Sequence, residues 1–343
     1  MKRLFGLALA ILILLQFTSR LALAWDYEGH RAVNQLALAS LPTNFPAFVR
    51  TSENAERIAF LSGEPDRWRN MQDLSLRHVN GPDHYIDLEQ LADYGLKAEL
   101  LPVFRYDFVA QLALARNAHP EKFSAIDASR NADHTRELIG FLPWAMVETY
   151  AKLKSEFSYL KTFEQDGGTP AEIASAQANI VYVMGVMGHY YGDAGQPLHT
   201  TIHHHGWVGE NPHGYTTDGG IHSRVDGFLR DGTENTKALE SKLRPVRLVM
   251  IDGRTAKPEE MFQAAMLYIM EQNKQVEPLY QMEKDGKLSG KEGKAFLEGQ
   301  LVKSGQLLGD IWYSAWQQAP PDTYLARQLA ARKHSNHGEH AEK

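Results

Sequence analysis

Apolar residues recur along most of this chain at the three- and four-residue spacing of a helix face, and strict alternation of the kind that marks strands is scarce. The stretch 31–41 is rich in Ala and Leu and stops before Pro42. A helical composition runs through 96–117. In 133–163, Leu138, Phe141, Leu142, Ala145 and Thr149 share one face, with Pro143 expected to kink it. The stretch 170–193 opens with Pro at a helix start and closes before Gly195 and Pro197. A further stripe in 258–282 carries Phe262, Ala265, Met266, Ile269 and Met270, and 288–318 forms the last long helix. These stripes predict a buried core and an all-α fold.

Three segments fall outside that pattern. At the start, Lys2 and Arg3 precede an apolar run from 4 to 17, and Ala22-Leu23-Ala24 has the small-x-small form of a signal-peptidase site. The run is shorter than the roughly 20 residues of a membrane-spanning helix, so it predicts a cleaved signal peptide over 1–24 and no stable membrane anchor afterwards. The mature chain then begins at Trp25, in a periplasm or outside the cell. The stretch 206–220 is rich in Gly, Asn, Pro and His and predicts either a short hairpin or a long loop. The tail, 333–343, is polar and His-rich and is expected to be disordered. No composition break divides 25–332, which reads as one domain.

Composition narrows the function. The chain has no cysteine, so disulfides contribute nothing to it, and at 343 residues it can bury a large core without them. The net charge is −6, and removing 1–24 takes away Lys2, Arg3 and Arg20 and no acid, leaving about −9. A broad basic surface for gripping nucleic acid is thereby excluded. Bound zinc would return positive charge at one spot.

The densest chemistry lies in "GHYYGDAGQPLH". His189 and Asp193 are four apart, which puts them on one helix face, and His199 follows Pro197. Gly192 and Gly195 flank Asp193 and leave room for close approach. Two imidazoles and a carboxylate within this span suit a borderline-soft divalent ion such as zinc. The stretch "GGIHSRVD" repeats the device with His222 and Asp226. "DHYIDLE" adds His84, Tyr85 and Asp87, and "PDRWRN" adds Asp66 and Arg69. Singly, these read as surface charges or core residues.

Together, and in the order "WDYEGH", "PDRWR", "HYID", "HYYGDAGQPLH", "IHSRVD", they resemble the zinc-dependent S-one/P-one nuclease family of the phospholipase C/nuclease superfamily. The resemblance runs from Trp25 to Asp226. It implies that family's helical fold and three zinc ions. Asp66, His84, His189 and Asp193 would hold one ion, and His199, His222 and Asp226 a second. Asp193 would bridge to a third, bound also by His30 and by Trp25 through its free α-amino group and carbonyl oxygen. Arg69 would neutralise phosphoryl charge, Tyr85 would stack a nucleobase, and Asp87 would bond to the base edge. The implied activity is hydrolysis of single-stranded DNA and RNA to 5′-phosphorylated products, with nucleotides as further substrates of a 3′-nucleotidase activity. Zinc would supply the hydroxide nucleophile, Asp66 would orient it, and no protein partner is implied. The Trp-to-His gap of five, and Asp226 where the phospholipases have Glu, point to the nuclease branch over a phospholipase C. An exported metal-binding protein without catalysis is the other alternative. His203, His204, His205 and His213 have no counterpart in the resemblance and read as loop residues.

Overall fold

The computed structural model describes residues 25–227 and 236–341, with side chains to 334; the expected signal peptide lies outside them. Helices dominate, as the periodicity predicts. The chain runs through α1 (Tyr27–Ser40), α2 (Ser52–Leu61), α3 (Glu64–Arg69), α4 (Leu74–Asn80) and α5 (Arg105–Ala118). There follow α6 (Leu142–Asp166), α7 (Pro170–Gly195), α8 (Gly220–Asp226), α9 (Thr236–Leu239), α10 (Met261–Asn273), α11 (Val276–Lys284), α12 (Lys291–Gln318) and α13 (Thr323–Ala341). Single 3-10 turns fill many of the gaps.

The central element is α7, which packs against α1, α2, α6 and α12. Its start is fixed locally. Thr169 accepts from the Glu172 N–H at 3.2 Å while the Glu172 carboxylate accepts from the Thr169 N–H at 2.7 Å, and Pro170 takes the first turn. This reciprocal cap satisfies donors that a helix start otherwise leaves open. From Val186 onward α7 is buried on all sides, because helices cover it all round. Around it lie Trp25, Trp144 and Trp312, all but fully buried.

Several expected boundaries move for identifiable reasons. The helix expected over 96–117 begins only at Arg105. Pro102 cannot donate a backbone hydrogen bond, and Leu101 before it is extended (ψ 143°). Pro143 does not kink a helix interior; it sits in the first turn of α6, and 133–141 lies outside the helix. That helix ends at Gly167, whose φ of 94° stops it in the left-handed region. The stripe over 258–282 divides into α10 and α11. No strand ladder forms at 206–220, where a long loop is closed by Trp207 N–H donating to Thr216 O at 2.8 Å. The described residues hold one two-stranded ladder, Met250–Ile251 against Arg254–Thr255. Its turn residues Asp252 and Gly253 have φ of 48° and 76°, the tight-turn geometry for which Asp-Gly is suited. The tail expected to be disordered continues the backbone of α13 to Ala341. Among the described residues no helix is long and apolar enough to cross a membrane.

Candidate metal centre

Six elements bring the chemistry-bearing residues to one place. The C-terminal half of α7 presents His189 and Asp193, and the start of α1 presents His30. The short α3 presents Asp66 in its first turn and Arg69 in its last, and α8 presents His222 and Asp226. Two 3-10 turns, Gly81–His84 and Pro197–Thr200, present His84 and His199. A backbone bond from Ile86 N–H to His199 O, 2.9 Å, holds these two turns together. All of these histidines and aspartates are buried.

The polar atoms converge in three overlapping groups, each within the reach of one ion: His84, His189 and Asp193; His199, His222 and Asp226; and His30, Asp66 and His189. In the first, His189 Nε2 lies 2.8 Å from His84 Nδ1 and 3.2 Å from Asp193 Oδ2. His84 Nδ1 is 3.0 Å from Asp193 Oδ2, and Asp66 Oδ1 stands 3.8 Å from both imidazole nitrogens. Ligands about 2.0–2.1 Å from a tetrahedral ion stand about 3.3–3.4 Å from one another. The observed separations bracket that value. In the second group, His222 Nε2 is 3.1 Å from both His199 Nε2 and Asp226 Oδ2. Asp193 turns its other oxygen, Oδ1, toward His30 Nε2 at 3.5 Å, so one carboxylate faces two groups.

Hydrogen bonds behind the rings set their tautomers. The Nδ1–H of His189 donates to Ser62 O at 2.7 Å, and that of His199 to His84 O at 2.6 Å. Each therefore turns a bare Nε2 lone pair into the cluster. Gln196, fully buried, donates to Asp226 Oδ1 at 2.8 Å while its Oε1 accepts from Leu198 N–H at 2.6 Å. Several inward-facing atoms have no hydrogen-bond partner: both nitrogens of His30, Asp193 Oδ1 and Asp226 Oδ2. Among the described residues no Lys or Arg pairs with Asp193 or Asp226; Arg69 Nη2 meets Asp66 Oδ1 at 2.8 Å. Lone pairs and buried carboxylates crowded together repel unless a cation lies between them. The donor set therefore fits divalent metal, and the three groups could hold metal ions.

The electrostatics divide between the rings: burial opposes charge on His189, but Asp193 and Asp66 outweigh it and raise it above the usual histidine range. Burial, reinforced by His189, holds His30 well below the usual histidine range, and burial with Arg69 brings His84 down to about 3. Both are neutral donors at ordinary pH. Burial opposes charge on Asp193, but His189 and His199 outweigh it and hold its carboxyl well below the usual range. Burial drives Asp226 the other way, well above its usual value, against the bond from Gln196. A cation beside it would reverse that direction.

Glycine is required at two places in this packing. A Cβ on Gly192 would stand 2.8 Å from His30 Nδ1, and one on Gly195 would lie 1.8 Å from Ser304 Oγ. Trp25 is fully buried, and its indole N–H donates to Gly192 O at 3.0 Å, one residue before Asp193. The Asp26 N–H donates to Asp226 O at 3.1 Å. The start of the expected mature chain is thus held against the cluster.

A cleft of about 400 Å³ opens over His199 and His222 and is also lined by Arg69, Tyr85 and Asp87. The three residues expected to contact substrate are therefore together. Tyr85 donates to Leu138 O at 3.3 Å. Burial, with Glu89 nearby, pushes Asp87 up to about 8, and its Oδ1 has no hydrogen-bond partner.

The unplaced histidines divide into two pairs. His203 stacks on Trp207 at 3.9 Å and accepts from Val208 N–H, and His213 leans on Tyr215. These two brace the loop. His204 and His205 line the cleft, and His205 Nδ1 lies 3.3 Å from His222 Nδ1. The run of three histidines was a signal for them; nothing in the sequence marked Gln196 except its place beside Pro197. Comparison with known protein families, with characterised proteins and with solved structures finds no match for this chain.

Proposed function

We propose that the protein is an exported zinc-dependent phosphodiesterase that cleaves single-stranded DNA and RNA. The observation that carries this reading is the convergence of imidazole nitrogens and buried carboxylates, with His199 and His222 of that cluster lining a cleft walled by Arg69, Tyr85 and Asp87. Asp66, His84, His189 and Asp193 would hold one zinc and His199, His222 and Asp226 a second. Asp193 Oδ1 with His30, and Trp25 through its amino group, would hold a third. Bound zinc would supply Lewis acidity toward a phosphoryl oxygen and a water of lowered pKa.

The chain's own groups do the rest. Arg69, anchored on Asp66, offers a planar, permanently charged guanidinium to the phosphoryl oxygens as their charge grows. Asp66 orients the attacking water. The exposed part of the Tyr85 ring offers a stacking face for one base, which favours unpaired strands. Asp87, raised to about 8, carries a proton at neutral pH and can both donate to and accept from a base edge. Departure of the 3′ oxygen leaves a 5′-phosphate.

The test is hydrolysis of single-stranded DNA, RNA and phosphatidylcholine by the purified zinc-loaded protein and by Asp193→Ala. Cleavage of the nucleic acids alone, lost on chelation and in the variant, supports the reading. Cleavage of the lipid alone transfers the same centre to a phospholipase C and overturns it. Full zinc occupancy with no hydrolysis would leave a metal-binding protein.

A further inference from the structure

Beside the cleft lies a second cavity, of about 350 Å³, lined by Arg116, Lys122, Arg130 and Arg136. Arg130, Arg136 and Gln90 line both cavities, so the two adjoin. None of the four cationic side chains makes an ion pair or side-chain hydrogen bond with another described residue. The Arg116 guanidinium is held by stacking, 4.6 Å above the Phe123 ring and 5.9 Å from Tyr94, and its buried Nε has no hydrogen-bond partner. Two acids share the lining, Asp93 and Asp127. The Asp127 carboxylate is already taken by the Ser129 N–H and Oγ, at 2.9 and 2.6 Å. The net charge of the cavity wall is therefore positive, in a chain whose overall charge is negative.

We infer that this basic cavity is a second anion subsite, which takes further phosphates of a polyanionic strand whose neighbouring phosphodiester lies in the cleft. The inference rests on the phosphodiesterase reading and sharpens its substrate class. Unpaired guanidinium and ammonium groups around a concavity are the chemistry of phosphate recognition, and Arg offers it bidentately. A chain of phosphates extends from the cleft into this cavity; a lone mononucleotide does not. A phospholipid bearing a quaternary ammonium headgroup would meet repulsion there. Selection thus comes from a local basic annex, which explains how an acidic protein can favour a polyanion.

The test is binding of a fluorescent eight-residue thymidine oligonucleotide, with phosphorothioate linkages to resist cleavage, to the zinc-loaded full chain across a salt series. Each phosphate contact on a single strand contributes about −0.7 to the slope of log K against log salt. The double variant Arg130→Gln/Arg136→Gln, at two exposed positions, should make that slope shallower by about 1.4. It should also weaken binding about 25-fold at 0.1 M salt when the lines are extrapolated to meet at 1 M. Lys122→Gln, also exposed, should give about half the slope change. A slope and affinity equal to those of the unaltered protein in both variants overturns the subsite, as does absence of binding by the unaltered protein. Salt-dependent, variant-sensitive binding of the strand with no cleavage of its phosphodiester counterpart keeps the subsite and overturns the hydrolytic reading.

Discussion

Gln196 offers a direct way to weigh the support behind the candidate metal centre. It is fully buried and uses both ends of its amide, the nitrogen on Asp226 Oδ1 at 2.8 Å and the oxygen on Leu198 N–H at 2.6 Å. Gln196→Ala leaves a carboxylate oxygen and a backbone N–H without partners in a region closed to water. Each orphaned buried group costs about 1–3 kcal/mol, so the variant should lose about 2–4 kcal/mol of stability once a partial rearrangement is allowed for. It also frees Asp226 to rotate away from His222, now 3.1 Å away. Removal of such an orienting partner lowers metal affinity about 10- to 100-fold. Urea denaturation of the chelated protein reads the first effect, and competition for zinc against a chromophoric chelator reads the second. A variant within about 0.5 kcal/mol of the unaltered protein, with the same zinc affinity, would refute the reasoning, since that is the range of an inconsequential surface change.

Other expectations follow from the same geometry. Zinc at about 1,000 times its dissociation constant should stabilise the protein against urea by about 4 kcal/mol per site, and chelation should remove that gain; unchanged denaturation midpoints would contradict it. Gly192→Ala places a Cβ 2.8 Å from His30 Nδ1 and should displace that ring, costing about 1–3 kcal/mol and lowering zinc content per chain. Asp87 titrates at about 8 when folded against 3.8 unfolded, so its contribution is fully present below pH 4 and lost as pH rises through 8. In the chelated protein, Asp87→Asn should match the unaltered protein at pH 4 and exceed it by up to a few kcal/mol at pH 9; equal stability at both pH values would count against that burial cost. One extra residue before Trp25 converts the expected amino ligand to an amide and should lower zinc content and activity, whereas full content would remove Trp25 from the site.

The helix content and the two His/Asp pairs were legible for the same reason: both are written at short sequence spacing, whereas joining His30, Asp66 and His84 to those pairs rested on the family resemblance. His189 with Asp193 and His222 with Asp226 are four apart, and that spacing alone places each pair on one helix face. Proline marked the start of α7 correctly, but the Ala/Leu-rich composition of 96–117 hid the break that Pro102 imposes. Of the two readings open for 206–220 the long loop is the one that forms, while Asp252-Gly253, the stronger turn signal, passed unread. Gln196 was invisible because burial, not residue type, gives it its role. The basic annex was invisible because its four cations are spread from 116 to 136 and converge only through a 3-10 turn and the loops around it.

The central claim is that the buried His and Asp cluster holds zinc and that this centre hydrolyses phosphodiesters. The most direct measurement is zinc content per mature chain, taken on the same samples as cleavage of single-stranded DNA, for the unaltered protein and for Asp193→Ala. The account predicts three ions and cleavage to 5′-phosphorylated ends in the unaltered protein, with fewer ions and no cleavage in the variant. Metal-free protein that cleaves single-stranded DNA, or fully loaded protein that cleaves nothing, would contradict it.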